Sequence, residues 1–395
     1  MLNIVDAGES HGPALTAIIT GLPYGLKVDI DEINEDLSER QKGYGRGARQ
    51  TIEADEVIIQ SGIRGGLTMG SPVTLQIKNR DFDNWKSTMD SAQKNTDNNN
   101  LLVPRPGHAD LAGATKFHQD DLRNIIERSS ARKTAIKVAV GSLLKQFLAV
   151  FGMEVTGFLE RVHNIEVNEK INFTTLKSDI SASLFRTPYR QYEQAFKKSI
   201  DEAKKNGDTI GGVIRVIATG VLPGIGSFTD DDLRLDSAIA HAVISIGAVK
   251  GIEIGNAIEN SGLFGSQVHD EIFSENGGIA RRTNRAGGIE GGMSNGEPID
   301  IRCFMKPIPT LMRSLNSINL KTGKPDKAIR ERSDTSAVRA ASIVAQSVVA
   351  IVLSRFFLMK FAGDTMSEVI DSHNRYLEYL NTSGRYIASS FEADL

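Results

Sequence analysis

The sequence has little cysteine and little net charge. Its one cysteine, Cys303, excludes an intramolecular disulfide and any multi-cysteine metal site. A single cysteine also fits a reducing compartment, so we expect a cytoplasmic protein. The formal net charge is −3, which gives no overall attraction to nucleic acid or to an anionic membrane. Any anion-binding site must therefore be built from local clusters of basic residues.

Long uninterrupted apolar runs are also missing, and the N-terminal residues show no charged-then-apolar signal pattern. The longest apolar region, Ala340–Phe361, is too polar for a membrane span and predicts a buried helix. Its interruptions are Ser342, Gln346, Ser347, Ser354, Arg355 and Lys360. We therefore expect no membrane association and an ordinary globular protein.

Glycine is abundant, at 37 residues, but it is not periodic, which excludes a collagen or low-complexity chain. It clusters in Gly43–Gly47, Gly62–Gly70 and Gly287–Gly296. Such clusters mark tight turns, or backbone folded around a ligand. No strand–GxGxxG–helix unit or Walker loop is present, so a Rossmann or P-loop nucleotide site is poorly supported.

Long helix-forming stretches separate runs of strand-like sequence. The predicted helices are Ile30–Gln41, with Asp29 and Glu32 as a capping box, about Asp120–Val150, Thr229 to about Val249, and Ser333 to about Phe361. The predicted strands include Ile58–Ile63, Ser71–Ile77 and Ile299–Phe304. The polar stretch Asp81–Asn100 predicts a mobile surface loop. This pattern favours an α+β fold, with helices packed on antiparallel sheet, and one domain over residues 1–395.

Two glycines bracket a histidine in the segment "GESHG", Gly8–Gly12. Histidine titrates near neutral pH and suits proton transfer, and glycine lets the backbone approach a ligand closely. The alternative is a tight turn after a short first strand, with His11 in solvent. The segment alone leaves both interpretations open.

The segment "RQKGYGRGAR" sets four basic side chains among three glycines, namely Arg40, Lys42, Arg46 and Arg49. Arginine offers a planar fork of donors that suits phosphate and carboxylate, and glycine exposes backbone N–H groups to the same anion. A solvated basic loop is the alternative. An RNA-contact loop is a third interpretation, but it needs aromatic side chains for stacking and this loop has only Tyr44.

Two further segments combine arginine with histidine or serine. "RPGHAD" places His108 beside a glycine, with Arg105 before it and Asp110 after it. "ERSSARKTA" holds two adjacent serines flanked by arginines inside a helix-forming stretch. That pattern makes sense if one helix face meets an anionic ligand, although an exposed face explains it equally well.

The segment "RERSDTSAV" puts Arg330 and Arg332 beside Asp334 at a predicted helix start. An aspartate there is most often a cap with an ion pair, but a buried one can act as a base. Together the clusters predict a site that binds a multiply charged phosphate or carboxylate substrate and moves protons around it. A polyanion-binding module and a metal-dependent phosphatase are the alternatives, but we find no metal-ligand spacing.

As an ordered set, these motifs resemble those of the chorismate synthase family. "GESHG", "RQKGYGRGARQ", "RPGHAD", "ERSSAR", "GIEIGNA", "GGMSNG", "KPIPT" and "RSDTSAV" follow that family's order and approximate spacing. The resemblance runs from about Leu2 to Leu380. Each motif alone is weakly specific, whereas the set is highly specific. The departures from the family pattern are Ala7, Phe117, His118, Lys133 and Arg339, and none falls on a residue that the family uses for chemistry.

The resemblance implies a phosphate lyase of the shikimate pathway. That family converts 5-enolpyruvylshikimate 3-phosphate to chorismate and phosphate, and it requires reduced FMN although there is no net redox change. The substrate carries two carboxylates and a phosphate, which explains the arginines. It also implies a small-molecule substrate rather than nucleic acid. Either this chain reduces its own flavin, with NADPH near Arg40 and Arg46, or it relies on an external reductase.

The resemblance also implies roles for individual residues. His108 assists the leaving phosphate, and His11 holds the reduced flavin in its protonation state with Ser10 and Ser130 in the proton network. Asp334 works with the flavin N5 in removing the C6 proton. The implied substrate-binding residues are Arg40, Arg46, Arg49, Arg105 and Arg132. The implied FMN contacts are Arg128, Ser129, Ser130, Gly247, Ala248, Gly291, Lys306, Pro307, Ile308, Pro309, Thr310 and Arg332. The implied fold is a β-α-β sandwich with long helices between antiparallel sheets, assembled as a homotetramer.

Overall fold

Helices lie between two four-stranded sheets in the computed structural model, which describes residues 1–46, 54–92, 100–167, 169–172, 175–275, 278–330 and 334–384. The strands, in chain order, are β1 (Asn3–Ala7), β2 (Ala14–Thr20), β3 (Val57–Ser61), β4 (Ile63–Arg64), β5 (Leu67–Thr68), β6 (Val73–Lys78), β7 (Glu154–Val162), β8 (Gly212–Thr219), β9 (Val249–Ile254), β10 (Ile272–Glu275), β11 (Gly278–Arg281), β12 (Ile289–Glu290), β13 (Met293–Ser294), β14 (Ile299–Met305), β15 (Asn316–Ile318) and β16 (Pro325–Lys327). The helices are α1 (Ile30–Gln41), α2 (Asp110–Phe117), α3 (Arg123–Ser129), α4 (Thr134–Ala149), α5 (Leu176–Ser181), α6 (Glu193–Lys205), α7 (Leu235–Ile244), α8 (Ala257–Asn260), α9 (Gly265–Val268), α10 (Val338–Lys360) and α11 (Met366–Thr382).

The first sheet has the strand order β1-β2-β6-β3, and each of its pairings is antiparallel. Alternate residues of β2 and β6 are fully buried, and the register places Leu15 opposite Ile77 and Ile19 opposite Val73. Because side chains alternate between the two faces of a strand, this register turns one apolar face of the sheet toward the helices.

The second sheet has the order β7-β8-β14-β9 and is also antiparallel throughout. Its central strand β8 is buried on both faces. One face packs on α10, and the other meets a smaller apolar cluster that includes Phe158, Leu176 and Tyr189. The two sheets with the helices between them confirm the predicted β-α-β sandwich.

The helical layer is built around α4 and α10, which pack on one another. Helix α4 contacts mainly β2 and β6 of the first sheet, and α10 contacts β7 and β8 of the second. Gly141 of α4 allows the close approach, since a Cβ at this position would lie 2.4 Å from the Cβ of Ser347. Gly157 of β7 does the same on the other side of α10, where a Cβ would lie 2.3 Å from the Ser342 carbonyl oxygen.

Helix α10 is long and apolar enough to cross a membrane by length and composition alone, but 83% of its most apolar window is buried inside the protein. Its polar side chains are used internally. The Gln346 Oε1 atom accepts hydrogen bonds from the N–H of Gly157 and from Arg186 Nη2, both at 3.0 Å. The prediction of a buried core helix is therefore confirmed.

Several predicted boundaries are wrong. The helix predicted over about Asp120–Val150 is broken at Ser130, where ψ is 144° and the chain leaves the helical conformation between α3 and α4. The helix predicted from Thr229 begins only at Leu235 and ends at Ile244. Asp29 does cap α1, but its carboxylate accepts from the N–H of Asp31 rather than from that of Glu32.

The structure also corrects two predictions near the site. Helix α10 begins at Val338, so Asp334 precedes the helix and does not cap it, and the predicted cap Ser333 lies outside the described residues. The polar stretch 81–100 is not wholly irregular, because Arg80–Asn84 forms a 3₁₀ turn. Residues 93–99 of that stretch lie outside the described part of the chain.

Candidate active site

The Gly8–Gly12 segment is held against helix α3. Gly8 has φ +113°, and a Cβ there would lie 2.4 Å from the Ala14 carbonyl oxygen, so only glycine fits this turn. The backbone N–H of His11 donates to Glu127 Oε2, and His11 Nδ1 lies 2.8 Å from Glu127 Oε1. The His11 side chain is only 15% exposed. The alternative of a solvated histidine is therefore wrong.

Glu127 is a buried acceptor for this histidine. Burial raises the pKa of the Glu127 carboxyl, but its hydrogen bonds with His11 and the nearby Arg123 charge outweigh burial and hold the pKa below its ordinary value. The carboxylate is thus ionised at neutral pH and fixes the orientation of the imidazole ring. The sequence analysis did not identify Glu127, although it is the first residue of "ERSSAR".

The single tryptophan also belongs to this site. The rings of Trp85 and His11 are stacked, with centroids 4.0 Å apart and planes 28° apart. On the same tryptophan, the Arg123 guanidinium lies 5.0 Å from the ring centroid. Trp85 lies in the stretch predicted as a mobile loop, and the one available signal was an isolated aromatic residue in a polar segment.

The break between α3 and α4 places two serines in different environments. Ser10 Oγ donates to Ser130 Oγ at 3.1 Å, and Ser130 Oγ also accepts from the N–H of Arg132 at 3.3 Å. Ser129 Oγ bonds back to the Ile125 carbonyl oxygen at 2.6 Å. Ser10 and Ser130 are therefore brought together as the resemblance implied, because the chain leaves the helix at Ser130.

Two of the predicted substrate-binding arginines share one buried carboxylate. Arg40 Nη2 lies 2.9 Å from Asp55 Oδ2, and Arg132 Nη1 donates to Asp55 Oδ1 at 2.5 Å. Arg132 Nε donates to Asn79 Oδ1 at 2.8 Å, and Asn79 Nδ2 donates to the carbonyl oxygens of Glu9 and Gly12. The arginines are thereby tied to the glycine-bracketed loop that carries His11.

A third arginine binds the predicted base. Arg46 Nη1 donates to Asp334 Oδ2 at 2.7 Å, and both side chains are mostly buried. Burial lowers the pKa of Arg46 and the charge of Asp334 raises it, with a net shift below the ordinary value, but arginine stays protonated. The Nε atoms of Arg40 and Arg46 have no hydrogen-bond partner among the described residues. Arg49, predicted to act beside them, lies outside the described part of the chain.

The second histidine has its own carboxylate. His108 Nδ1 contacts Asp110 Oδ1, and Arg105 Nε lies 2.8 Å from Asp110 Oδ2. Burial raises the pKa of Asp110, but the hydrogen bonds from His108 and Arg105 outweigh burial and hold the pKa well below its ordinary range. Arg105 Nη1 also donates to Thr310 Oγ1 at 3.1 Å. An Nδ1–H held by Asp110 leaves Nε2 as the nitrogen that can carry a transferable proton.

Several predicted FMN contacts lie beside this second histidine. Lys306 Nζ donates to the Gly107 carbonyl oxygen, and the Lys306 N–H donates to the Ala248 carbonyl oxygen, both at 3.0 Å. A Cβ added at Gly247 would meet no atom within 4 Å, so open space adjoins this backbone. Residues 247–248 and 306–310 are therefore brought together with "RPGHAD".

Other predicted FMN contacts are not joined to this group. Gly291 lies in the turn between β12 and β13, and no backbone hydrogen bond in the described ranges links that turn with Lys306. Arg128 donates to the carbonyl oxygen of Gly8 and to the carboxylate of Asp6. Arg332 lies outside the described residues. No group of three potential metal ligands occurs in the part of the chain that the structure describes.

Comparisons with known proteins bear on the whole chain. Residues 2–358 match the family model described as chorismate synthase. The chorismate synthase of Geobacter sulfurreducens is 49% identical over 390 residues, which cover 96% of this chain and 99% of that relative. The chorismate synthase of a Sulfurihydrogenibium species is 47% identical and covers 95% and 98% of the two chains.

A solved structure supports the same assignment. It is described as a crystal structure of chorismate synthase, it is 38% identical, and its TM-score is 0.78 over 96% of this chain and 98% of that one. These comparisons confirm the resemblance drawn from the motifs. That family uses reduced FMN. The chain belongs to the chorismate synthase family, the lyases that convert 5-enolpyruvylshikimate 3-phosphate to chorismate and phosphate in the last step of the shikimate pathway.

Proposed function

We propose that the Arg40–Arg132 cluster and the His108 cluster form the site at which this chain eliminates phosphate from its substrate. One observation carries the proposal. The buried guanidinium groups of Arg40 and Arg132 lie side by side on one carboxylate, Asp55. Two adjacent buried cations favour an anionic ligand, so a phosphate or carboxylate group of the substrate suits this cluster.

The unpartnered donors point to the same conclusion. Arg40 is 6% exposed, and its Nε atom and that of Arg46 are buried without an acceptor in the described protein. A buried donor without an acceptor costs roughly 1–3 kcal/mol. A substrate carboxylate or phosphate oxygen would remove that cost, so Arg40 and Arg46 are assigned to substrate binding. Arg105 and Arg132 are assigned to the same task and Arg49 stays a prediction.

His108 is assigned to the departing phosphate. The phosphate gains negative charge as its bond to carbon breaks, and a positioned acid stabilises that charge by proton transfer. Asp110 holds Nδ1, and Arg105 contributes a fixed positive charge beside the imidazole at 3.1 Å. Nε2 of His108 then delivers the proton.

Asp334 is assigned to removal of the C6 proton. Its carboxylate is bound by Arg46 and is mostly buried, which holds it in one orientation. His11, with Ser10 and Ser130, is assigned to the proton network beside the flavin. Glu127 keeps the His11 ring in place through Nδ1, so that Nε2 remains for a ligand.

The residues assigned to FMN offer the space and the donors that this group needs. The backbone at Gly247 adjoins open space, and the ammonium of Lys306, which lies beside Gly107, supplies positive charge. These residues therefore fit a flavin mononucleotide. When bound, reduced FMN supplies electron density to the breaking C–O bond and recovers it as the C–H bond breaks.

Four expectations stay predictions. They are the homotetramer, the single domain over residues 1–395, the cytoplasmic location, and NADPH as a direct reductant near Arg40 and Arg46.

An anaerobic assay tests the proposal as a whole. Chorismate should form from the substrate with photoreduced FMN, and a second assay with NADPH and oxidised FMN tests whether the chain reduces its own flavin. Absence of chorismate with photoreduced FMN would contradict the proposed function.

A further inference from the structure

Asp55 lies between the two buried arginines and bonds to both. Its Oδ2 atom accepts from Arg40 Nη2 at 2.9 Å, and its Oδ1 atom accepts from Arg132 Nη1 at 2.5 Å. The side chain of Asp55 has no exposed surface. Its own N–H donates to Gln41 Oε1 at 3.1 Å, which ties it to the end of α1. Each carboxylate oxygen is thus committed to a different guanidinium.

The bonds restrict the two arginines to different degrees. Arg132 is held at Nη1 by Asp55, at Nε by Asn79 and at Nη2 by the Lys78 carbonyl oxygen. Arg40 is held at Nη2 by Asp55 and more weakly, at 3.4 Å, by Thr134 Oγ1. Its Nε is left without an acceptor among the described residues. Asp55 is therefore the principal group that fixes the direction in which Arg40 presents its remaining donors.

The same carboxylate allows two like charges to lie side by side. Burial lowers the pKa of Arg40, Asp55 raises it, and the nearby Arg132 charge lowers it again. Without a shared anion, two buried guanidinium groups repel one another across a medium of low dielectric constant. Their side chains would then separate or turn toward solvent.

We propose that Asp55 is a positioning residue, which holds Arg40 and Arg132 in the orientation that binds the anionic groups of the substrate. The inference rests on the proposed function, because it takes these arginines as substrate-binding groups. Asp55 does not touch the reacting atoms. Its effect is expected on substrate binding rather than on the chemical step.

The variant Asp55→Asn distinguishes two influences on anion binding, namely the orientation of the two arginines and the net charge of the cluster. It makes the cluster more positive by one charge, so if charge alone governed the site, anions would bind more tightly. If orientation governs it, anions bind less tightly although the site is more positive. We expect the KM for 5-enolpyruvylshikimate 3-phosphate to rise roughly 10-fold or more, as for loss of a hydrogen bond to a charged group. We expect kcat to stay within about threefold, because His108 and Asp334 are unchanged.

Asp300→Asn is the matched control. Asp300 is also a buried aspartate bound by an arginine, with Oδ1 and Oδ2 at 2.8 and 2.7 Å from Arg215, but it lies on β14 of the second sheet. Glu160 remains beside Arg215 in that variant. A loss of stability with an unchanged KM is expected there. An equal rise in KM in both variants would overturn the proposal, since a general loss of rigidity would then explain it.

A second variant covers the case in which Asp55→Asn does not fold. Asp55→Glu keeps the charge and displaces it by one methylene, so it should also raise the KM. A wild-type KM in Asp55→Glu, or tighter binding in Asp55→Asn, would overturn the positioning role. Calorimetry with inorganic phosphate supplies a readout independent of turnover. If wild-type enzyme makes no chorismate, the proposed function fails. Calorimetry still tests the positioning role in that case. Weaker phosphate binding in the Asp55 variants would support that role, and unchanged phosphate binding would reject it.

Discussion

The carboxylate of Asp334 accepts a hydrogen bond of 2.7 Å from Arg46, a residue 288 positions earlier in the chain. The sequence placed Asp334 at a predicted helix start beside Arg332, where a helix cap and a base were both open interpretations. The observed pair joins the loop before α10 to the glycine-rich segment after α1. It places the predicted base next to an arginine assigned to substrate binding.

Asp334→Asn should remove most turnover and leave FMN binding intact. Asparagine can still accept a hydrogen bond from Arg46, but it cannot take a proton. We expect chorismate formation to fall by roughly 100-fold or more, in the range of a lost acid–base group. Asp201→Asn, which alters an exposed acceptor of Tyr44 near the same segment, is the control. Turnover within about threefold of wild type in Asp334→Asn would assign Asp334 a structural role.

His108→Ala should lower kcat by roughly two to four orders of magnitude, the usual effect of losing a positioned proton donor. His118→Asn is the matched control, because His118 is exposed and has φ +52° at the end of α2, a conformation that asparagine tolerates. It should keep near wild-type turnover. Similar losses in both variants would mean that His108 is not the acid.

Activity should require reduced flavin. Assays with photoreduced FMN under anaerobic conditions should yield chorismate, whereas oxidised FMN under air should not. The reason is that oxidised flavin has no electron density to supply to the breaking C–O bond. Equal turnover under the two conditions would show that the reaction does not require reduced FMN.

Glu297→Gln should stabilise the protein at pH 8 but not at pH 5. Burial raises the pKa of Glu297 to about 7, against the opposing charge of Arg281 and with help from Asp270 and Glu290. Between the unfolded pKa near 4.5 and the folded pKa near 7, only the unfolded chain loses the proton, so wild-type stability falls as pH rises through this window. Above pH 7, the free energy of unfolding of the wild-type protein is lower than at acid pH by about 3 kcal/mol, because each pKa unit corresponds to about 1.36 kcal/mol. Denaturant melts at the two pH values measure it, and an equal effect at both would refute the shifted pKa.

Arg339→Pro should destabilise the chain although proline is the common residue of the family at this position. Arg339 donates to the Glu39 carbonyl oxygen and carboxylate at 2.6 and 2.9 Å, and to the Leu184 carbonyl oxygen at 3.1 Å. It lies in the first turn of α10, where proline is tolerated, so the backbone should not be disturbed. We expect a loss of about 1–3 kcal/mol from the broken charged hydrogen bonds. Thermal melts check this, and an unchanged melting temperature would show that the three bonds contribute nothing.

Much of the candidate site could be identified from the sequence because its residues lie in short motifs. The two histidines, the arginines and Asp334 were all identified from glycine-bracketed or charge-dense segments. The supporting residues were not. Asp55 and Asn79 have no local signature. Glu127 and Trp85 were overlooked although they stand in marked segments, because each acts through a partner that is distant in sequence, such as the 116 positions between His11 and Glu127.

The sequence by itself determined the class of the fold, the family and the candidate residues. Periodic apolar positions and capping residues act over a few neighbours, so they predicted α1 and the core helix α10 well. The contact between the Ser10 and Ser130 hydroxyls depended on the tertiary structure, because it forms only when the first loop packs against α3. The pairing of Arg46 with Asp334, and of Asp55 with two arginines, was likewise decided by packing. A buried charge needs an oppositely charged partner, because the protein interior has a low dielectric constant. That partner can come from a distant segment, so the local sequence does not show which ion pairs form.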